Sequence, residues 1–505
     1  MLDDLPRGVR SRKLDDHRTP LAAWMPPDLI NSSNSLSYDP DNPGQKILLG
    51  ALNGKLVGVA DNRHMMTVAG SRAGKGVSAI IPNLICYRGS VLAIDPKAEL
   101  ASITARRRAE QLGQRVYVLD PFERASQNAA TYRAAFNPLS ILTPDSPTLV
   151  EDAGLIADAL VIPGGRDPHW NDSARNFLEG LILHVATYRG YEGRRDLVTV
   201  RTVLMGGAYI AHETDEGREE ASGMDGLHVE MMHNAGLLEE AGAEGTARAV
   251  EASASDFFEK PDNERGSVLS TARRHTKFLD FPNIQSVLRG HDFDLADLKT
   301  APDGMTVYLC LPAGRLATCS RWFRLFVNLA LEAMEREPSI PVSPVLFCLD
   351  EFAALGHMRQ IEAAAGQIAG FGVKLWPILQ DLTQLKRDYR EGWETFMGNA
   401  GVLQFFGNND STTLEHISKR LGKTSIRMRR QAATTQEDRA RGASGESWAV
   451  ELHDLLTAEE AGRFFGRDDP QRRQLIQWAG QPPIILQRVV YHDNPIFEGK
   501  YDAMG

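Results

Sequence analysis

Short apolar runs alternate with amphipathic segments along the first quarter of the chain. The runs 64–69, 90–94 and 115–119 have the length and composition of buried strands. The segments between them, 76–84 and 98–112, place apolar residues at helical spacing. This strand–helix–strand–helix–strand order predicts a parallel sheet with right-handed crossovers. A glycine-punctuated stretch that precedes it predicts a β-hairpin over 47–59.

The pattern changes between residues 143 and 295. Apolar residues recur there at helical spacing, most clearly over 150–161, 171–188 and 243–258. The one β-rich piece is short and lies at 198–200, and we interpret the acidic tract 213–216 as a solvated face. We therefore predict a mostly α-helical domain inserted into the α/β core.

The α/β rhythm returns after residue 300. Strands are predicted over 305–311, 344–349, 374–379, 402–406, 475–478 and 484–486. The segment 427–447 has few large apolar side chains and predicts a mobile loop or a segment that folds on binding. The expected organisation is an extended N-terminal arm (1–45), a first part of the α/β domain (46–142), the all-α insert (143–295) and a second part of the α/β domain (296–505).

Composition narrows the classes of function. Lys and Arg number 56 and Asp and Glu 66, which gives a net charge of −10 and argues against a broadly basic surface. Contact with nucleic acid would need a local patch, and Arg427, Arg429 and Arg430 form one of the few dense basic clusters. The four cysteines share no metal-type spacing. We see neither a signal peptide nor an apolar run long enough to span a bilayer.

Candidate chemistry begins where the first strand of the sheet ends. The strand 64–69 runs into small residues, a lysine and an apolar helix, the order in which a phosphate-binding loop and its helix occur. Ala69 and Gly76 depart from the pattern G-x-x-x-x-G-K-[ST], so a strand-to-helix turn with an incidental lysine is an equally good interpretation of this segment alone. The candidate nucleotide-binding residues are Gly70, Ser71, Arg72, Ala73, Gly74, Lys75, Gly76 and Val77.

Two carboxylates and an amide favour the phosphate-binding interpretation. Asp350 and Glu351 follow an apolar strand, and Gln380 closes the next one. Asp350 is the candidate Mg²⁺ ligand and Glu351 the candidate general base, while Gln380 would sense the γ-phosphate or position water. With Lys75 these residues predict a P-loop ATPase that uses ATP and Mg²⁺. Arg63 and Arg420 are the candidate arginine fingers, and each is also explained as a solvated or ion-paired side chain.

Several motifs resemble the TraG/TraD-type coupling proteins of type IV secretion and conjugation. They lie at 71–77, 95–97, 136–139, 349–356, 404–410 and 480–484. The resemblance implies a RecA-like P-loop NTPase domain with an inserted all-α domain, assembled as hexameric rings that hydrolyse ATP. It also implies DNA, a relaxase or effector protein and type IV secretion components as partners. Lys75, Asp350, Glu351 and Gln380 fall on the nucleotide-site positions of the family.

The chain departs from that family in two ways. Family members usually carry N-terminal transmembrane helices, which this sequence lacks, so we expect a cytoplasmic protein or one held at the inner membrane through partners. Some relatives also carry an arginine in the stretch that reads 367–372 here, where this chain has none.

Three functions remain open. The first is an ATP-hydrolysing motor that recruits and translocates DNA or DNA–protein substrates, and the second a nucleotide-gated receptor that docks protein effectors without moving DNA. The third, a P-loop fold without hydrolysis, is disfavoured because both carboxylates and Gln380 are present.

Overall fold

The computed structural model describes residues 22–162, 168–214, 217–431 and 446–503. Its strands are β1 (Ile47–Leu52), β2 (Lys55–Val59), β3 (His64–Ala69), β4 (Val91–Asp95), β5 (Arg115–Leu119), β6 (Ala208–Thr214), β7 (Gly217–Ser222), β8 (Met305–Cys310), β9 (Val345–Leu349), β10 (Val373–Leu379), β11 (Ala400–Phe406), β12 (Lys423–Gln431), β13 (Glu446–Asp454), β14 (Arg473–Trp478) and β15 (Ile484–Gln487).

Helices fill the connections between these strands. The α-helices are Pro27–Ser32, Ile81–Cys86, Glu99–Arg106, Gln127–Ala130, Leu149–Leu160, Pro168–Thr187, Leu197–Gly206, Gly223–Glu240, Glu244–Phe258, Asp262–His275, Pro282–Arg289, Asp297–Thr300, Leu316–Arg336, Arg359–Gln367, Leu382–Tyr389, Trp393–Asn399, Ser411–Leu421 and Ala458–Phe464. Two of them continue from or into a π-helical turn, Gly76–Ile80 and Arg107–Gln111.

One sheet of 11 strands organises the described residues, in the order β2-β1-β15-β14-β11-β3-β10-β9-β4-β8-β5. The strands from β11 to β5 are mutually parallel. The remaining four add to the β11 edge as antiparallel neighbours. Every residue of β3, β9 and β10 is buried, as expected for strands covered by helices on both faces. The predicted α/β class with a mostly parallel sheet is confirmed.

The helices that follow β5 and precede β8 form the mainly helical part of the chain. The β-rich interpretation of 198–200 is wrong, because these residues lie in the helix Leu197–Gly206. Asp196 caps that helix by accepting the N–H of Thr199 at 2.7 Å, which stabilises a helical start despite two valines and a threonine. The chain also forms an unpredicted hairpin from β6 and β7, which takes in residues 213 and 214 of the acidic tract.

The segment 427–447 is more ordered at its ends than its composition indicates. Strands β12 and β13 pair in antiparallel register from Lys423 with Asp454 to Gln431 with Glu446. The predicted loop is therefore wrong for 427–431 and 446–447, while 432–445 lie outside the described residues. Backbone hydrogen bonds build such a ribbon with few apolar side chains, so the hydrophobic pattern does not reveal it.

The start of the described chain packs on the antiparallel edge of the sheet. Ile30, Leu36 and Tyr38 are buried there, and the N–H of Met25 donates to the carbonyl of Pro483 at 2.9 Å. None of the helices in the described ranges is long and apolar enough to cross a membrane.

Candidate functional site

The loop after β3 has the backbone shape that its small residues predict. It leaves the sheet at Ala69 and enters the helical turns at Gly76, with Gly74 at φ +87° and Arg72 at φ +57°. The Ser78 hydroxyl donates to the Gly74 carbonyl at 2.7 Å, and this hydrogen bond fixes the loop to the helix that follows it. The helix therefore starts directly behind a compact loop, as an anion-binding helix N-terminus requires.

Gly70 lies where the loop crosses the end of β11. Its N–H donates to the carbonyl of Phe406 at 3.2 Å, and a Cβ on Gly70 would overlap the carbonyl oxygen of Gly407. The two backbones can approach this closely only because position 70 has no side chain.

We expect Gly70→Ala to lower the free energy of unfolding by about 3 kcal/mol, because the new methyl group must push two backbone segments apart. Gly76→Ala is the matched control, since a Cβ there meets no atom within 4 Å. Urea denaturation of both variants measures the difference. Equal unfolding midpoints for the two would contradict the close approach.

Strand order brings the distant site residues together. Asp350 follows β9, Gln380 follows β10, and β10 lies between β9 and β3, whose loop carries Lys75. The Lys75 Nζ lies 2.8 Å from Glu351 Oε1 and 3.1 Å from Asp350 Oδ1. Gln380 Nε2 donates to Glu351 Oε2 at 3.2 Å. An amine, two carboxylates and an amide thus meet at the carboxyl edge of the parallel strands, where ligands bind in such sheets.

The same edge contains a cleft of about 400 Å³. Of the predicted nucleotide-binding residues, its walls include Ser71, Arg72, Gly74, Lys75, Gly76 and Val77. Gly70 and Ala73 do not line the cleft and instead lie against Gly407, the residue that follows β11. The cleft is also lined by Asp95, Pro96, Lys97, Glu99, Asp350, Glu351 and Gln380.

Burial and charge set the ionisation of the cleft. Burial alone would lower the pKa of Lys75, but the charges of Asp350 and Glu351 outweigh it and raise that pKa. Burial raises the pKa of Asp350, although the Lys75 ammonium opposes the shift. Burial also raises the pKa of Asp95 to about 7, against the backbone N–H donors that it accepts, such as that of Ala101 at 2.8 Å.

Glu351 has an unusual backbone conformation. Its φ of +52° lies in the left-handed region, which costs a residue with a Cβ of the order of 1 kcal/mol. Its N–H donates to Asp350 Oδ1 at 3.0 Å, which fixes the two carboxylates relative to each other. The strained residue is therefore the one that the sequence predicts as the general base.

Sequence reasoning assigned no role to two residues that support this site. Asn408 donates to the Gln380 carbonyl at 3.2 Å, and its buried Oδ1 has no hydrogen-bond partner in the described ranges. Asn408 lies in the motif at 404–410, and its place in that motif is the sequence signal that points to a role. Arg488, from the end of the chain, donates to the Ala73 carbonyl, and its guanidinium lies 4.9 Å from the ring centre of Phe406. No local pattern marks Arg488.

Neither candidate arginine finger lies in the cleft. Arg63 precedes β3 and donates to both carboxylate oxygens of Asp61, at 3.0 and 2.6 Å. Arg420 borders a cavity with Ala400 at the start of β11. Both positions are at the amino edge of the parallel strands, opposite the phosphate loop. A finger role for either would require a neighbouring chain, and it stays a prediction.

Comparison with known proteins identifies the family of the chain. Residues 31–503 match the family model described as type IV secretory system conjugative DNA transfer. The conjugal transfer protein TraG of Escherichia coli is 26% identical over 458 residues, which cover 86% of this chain and 68% of TraG. The type IV secretion system-coupling protein VirD4 of Bartonella quintana is 25% identical over 440 residues, which cover 85% of this chain and 62% of VirD4.

Solved structures show the same fold. The bacterial conjugative coupling protein TrwBdeltaN70 superposes with a TM-score of 0.63 at 13% identity, covering 94% of this chain and 96% of that one. TrwB in complex with ADP and Mg²⁺ gives a TM-score of 0.59 at 14% identity, with the same coverage. On the family match, the sheet and the inserted helices, this chain belongs to the type IV secretory system conjugative DNA transfer family.

Proposed function

We propose that the chain binds ATP and Mg²⁺ in the cleft and hydrolyses ATP to move DNA or DNA–protein substrates toward a type IV secretion or conjugation channel. The observation that carries the proposal is the meeting of Lys75 with Asp350, Glu351 and Gln380. The names of the related proteins, and the ADP and Mg²⁺ bound by TrwB, support it.

Lys75 binds the phosphates. Its raised pKa keeps the amine charged at neutral pH. The phosphate loop that contains Lys75 leads directly into a helix N-terminus, where backbone N–H groups can bind an anion. Arg488 holds that loop through the Ala73 carbonyl, so the phosphate site is preorganised by a contact from the far end of the chain.

Asp350 fits the role of the Mg²⁺ ligand. Mg²⁺ prefers oxygen ligands and is usually held by one or two carboxylates together with waters and phosphates. In the described part of the chain no group of three or more His, Cys, Asp or Glu could hold a metal by itself, which agrees with a site completed by the nucleotide. When bound, Mg²⁺ would neutralise charge on the β- and γ-phosphates. Because Gly76 replaces the hydroxyl-bearing residue of the usual P-loop pattern, Asp350 is the protein ligand of Mg²⁺ in this assignment.

Glu351 accepts the proton of the attacking water, and Gln380 orients that water or contacts the γ-phosphate. The hydrogen bond from Gln380 to Glu351 fixes the direction of the carboxylate. Asn408 in turn holds the backbone of Gln380, so the water-positioning groups are linked to the end of β11.

The proposal includes partners that the family membership suggests. DNA, a relaxase or an effector protein would be the cargo, and type IV secretion components would receive it. We propose a homo-hexameric ring in which each cleft is completed by a neighbour.

The rate of ATP hydrolysis with and without single-stranded DNA tests the proposed function. A rate that DNA raises, and that added salt lowers toward the DNA-free value, supports the motor, since binding to phosphates weakens with salt. A rate that DNA leaves unchanged contradicts the motor, and stimulation by an effector protein would then favour the nucleotide-gated receptor. Absence of hydrolysis under both conditions contradicts the ATPase itself.

A further inference from the structure

A second cavity, of about 580 Å³, lies between the helices Leu382–Tyr389, Trp393–Asn399 and Ser411–Leu421. It shares no residue with the cleft described above. Its walls combine three cationic side chains with two aromatic rings: Lys386, Lys419, Arg420, Trp393 and His416.

Within the part of the chain that the structure describes, the three cations lack a carboxylate partner. Lys386, Lys419 and Arg420 form no ion pair with any residue that the structure describes, although Glu394 and Glu415 border the same cavity. The neighbouring Arg387, in contrast, is held by both oxygens of Asp388 at 2.8 Å. Three positive charges that have no ion pair among the described residues outnumber the two carboxylates of the same cavity, and this net positive charge in a chain of net charge −10 favours an anion.

The aromatic side chains narrow the kind of anion. Lys386 Nζ lies 4.5 Å from the ring centre of Trp393, and the His416 ring lies 5.5 Å from that of Trp393. The buried Nε2 of His416 has no hydrogen-bond partner among the described residues. Cationic side chains that track a phosphate backbone, beside an aromatic ring that can contact bases, are the combination used to bind single-stranded nucleic acid.

We propose that this cavity binds the backbone of single-stranded nucleic acid, with Lys386, Lys419 and Arg420 contacting phosphates and Trp393 contacting a base. The proposal rests on the proposed function in taking DNA as the cargo. It gives Arg420 a role different from that of an arginine finger. An acidic protein segment would use the three cations but not the tryptophan, so we favour the nucleic acid.

Fluorescence anisotropy of a labelled oligothymidylate with the full chain, without ATP, tests this site. We expect Lys386→Gln/Lys419→Gln to weaken binding about tenfold and to reduce the slope of log affinity against log salt by about 1.4, because two phosphate contacts are lost from a single strand. The matched control is Lys55→Gln/Lys277→Gln, which removes the same charge from two exposed positions elsewhere. Trp393→Ala should weaken binding about tenfold, and Trp393→Phe should restore most of it.

Two results would overturn the proposal. One is equal affinity and equal salt slope for wild type, the cavity variant and the control, with each shown to be folded by circular dichroism. The other is binding of labelled oligoglutamate that the cavity variant loses to the same extent, which would identify a protein-binding site. The readout needs no hydrolysis, so an inactive ATP site would leave it unchanged.

Discussion

Replacing Lys75 with alanine is expected to lower the rate of ATP hydrolysis at least about 10²- to 10³-fold, because the variant loses the amine that contacts both Asp350 and Glu351. Removal of the amine also leaves two carboxylates close together without a counter-charge. Binding of the triphosphate should therefore weaken as well, since like charges would face its γ-phosphate. Steady-state hydrolysis and titration with a fluorescent ATP analogue measure the two effects.

Lys97→Ala is the matched control for Lys75. Lys97 borders the same cleft, but its side chain is 68% exposed and its amine lies 3.9 Å from Glu99. We expect this variant to change hydrolysis less than about threefold, because exposed ion pairs contribute little. If the two lysine variants were equally active, the cleft would not be the ATP site.

Glu351→Gln is expected to separate binding from hydrolysis. The amide keeps the size of the side chain and an oxygen that Lys75 and Gln380 can contact, but it cannot accept the proton of the attacking water. We expect hydrolysis to fall about 10²- to 10⁴-fold, the range for loss of a general base, while ATP affinity is retained. Single-turnover hydrolysis alongside equilibrium binding gives both quantities.

The control for Glu351→Gln is Glu99→Gln, which removes a charge from the same cleft without touching Lys75. Its hydrolysis rate should stay close to wild type. A Glu351→Gln variant that hydrolyses ATP normally would exclude Glu351 as the base. One that loses ATP binding and hydrolysis together would assign it a binding role instead.

The buried parallel strands were predictable from sequence because their side chains are apolar on both faces. β9 is an uninterrupted apolar run, and β10 is apolar except for Lys374. The two strands are followed by Asp350 and Gln380, and these polar residues mark the carboxyl edge of the sheet. The polar residues at the ends of these strands could therefore be located from the sequence without knowledge of the strand order. The convergence with Lys75 depends on that order, in which β10 separates β9 from β3.

Other features depend on interactions that a hydrophobic pattern does not encode. Strands β12 and β13 form through backbone pairing. The β-branched run 198–200 is helical, and the side chain of Asp196 caps that helix. The contact of Arg488 with the phosphate loop joins residues more than four hundred positions apart, so no local signal marks it. Arg63 and Arg420 lie near the ends of predicted elements, and that position in the sequence does not distinguish the two edges of the sheet.

Lys75 and the Asp350–Glu351 pair are expected to act on one bound triphosphate. The most direct test of this expectation is a crystal structure of the chain with a non-hydrolysable ATP analogue and Mn²⁺ in place of Mg²⁺, located by anomalous scattering. We predict the Mn²⁺ peak at the Asp350 carboxylate, with the γ-phosphate contacting Lys75 and facing Glu351. Nucleotide and metal bound elsewhere, or a metal held without Asp350, would contradict the account.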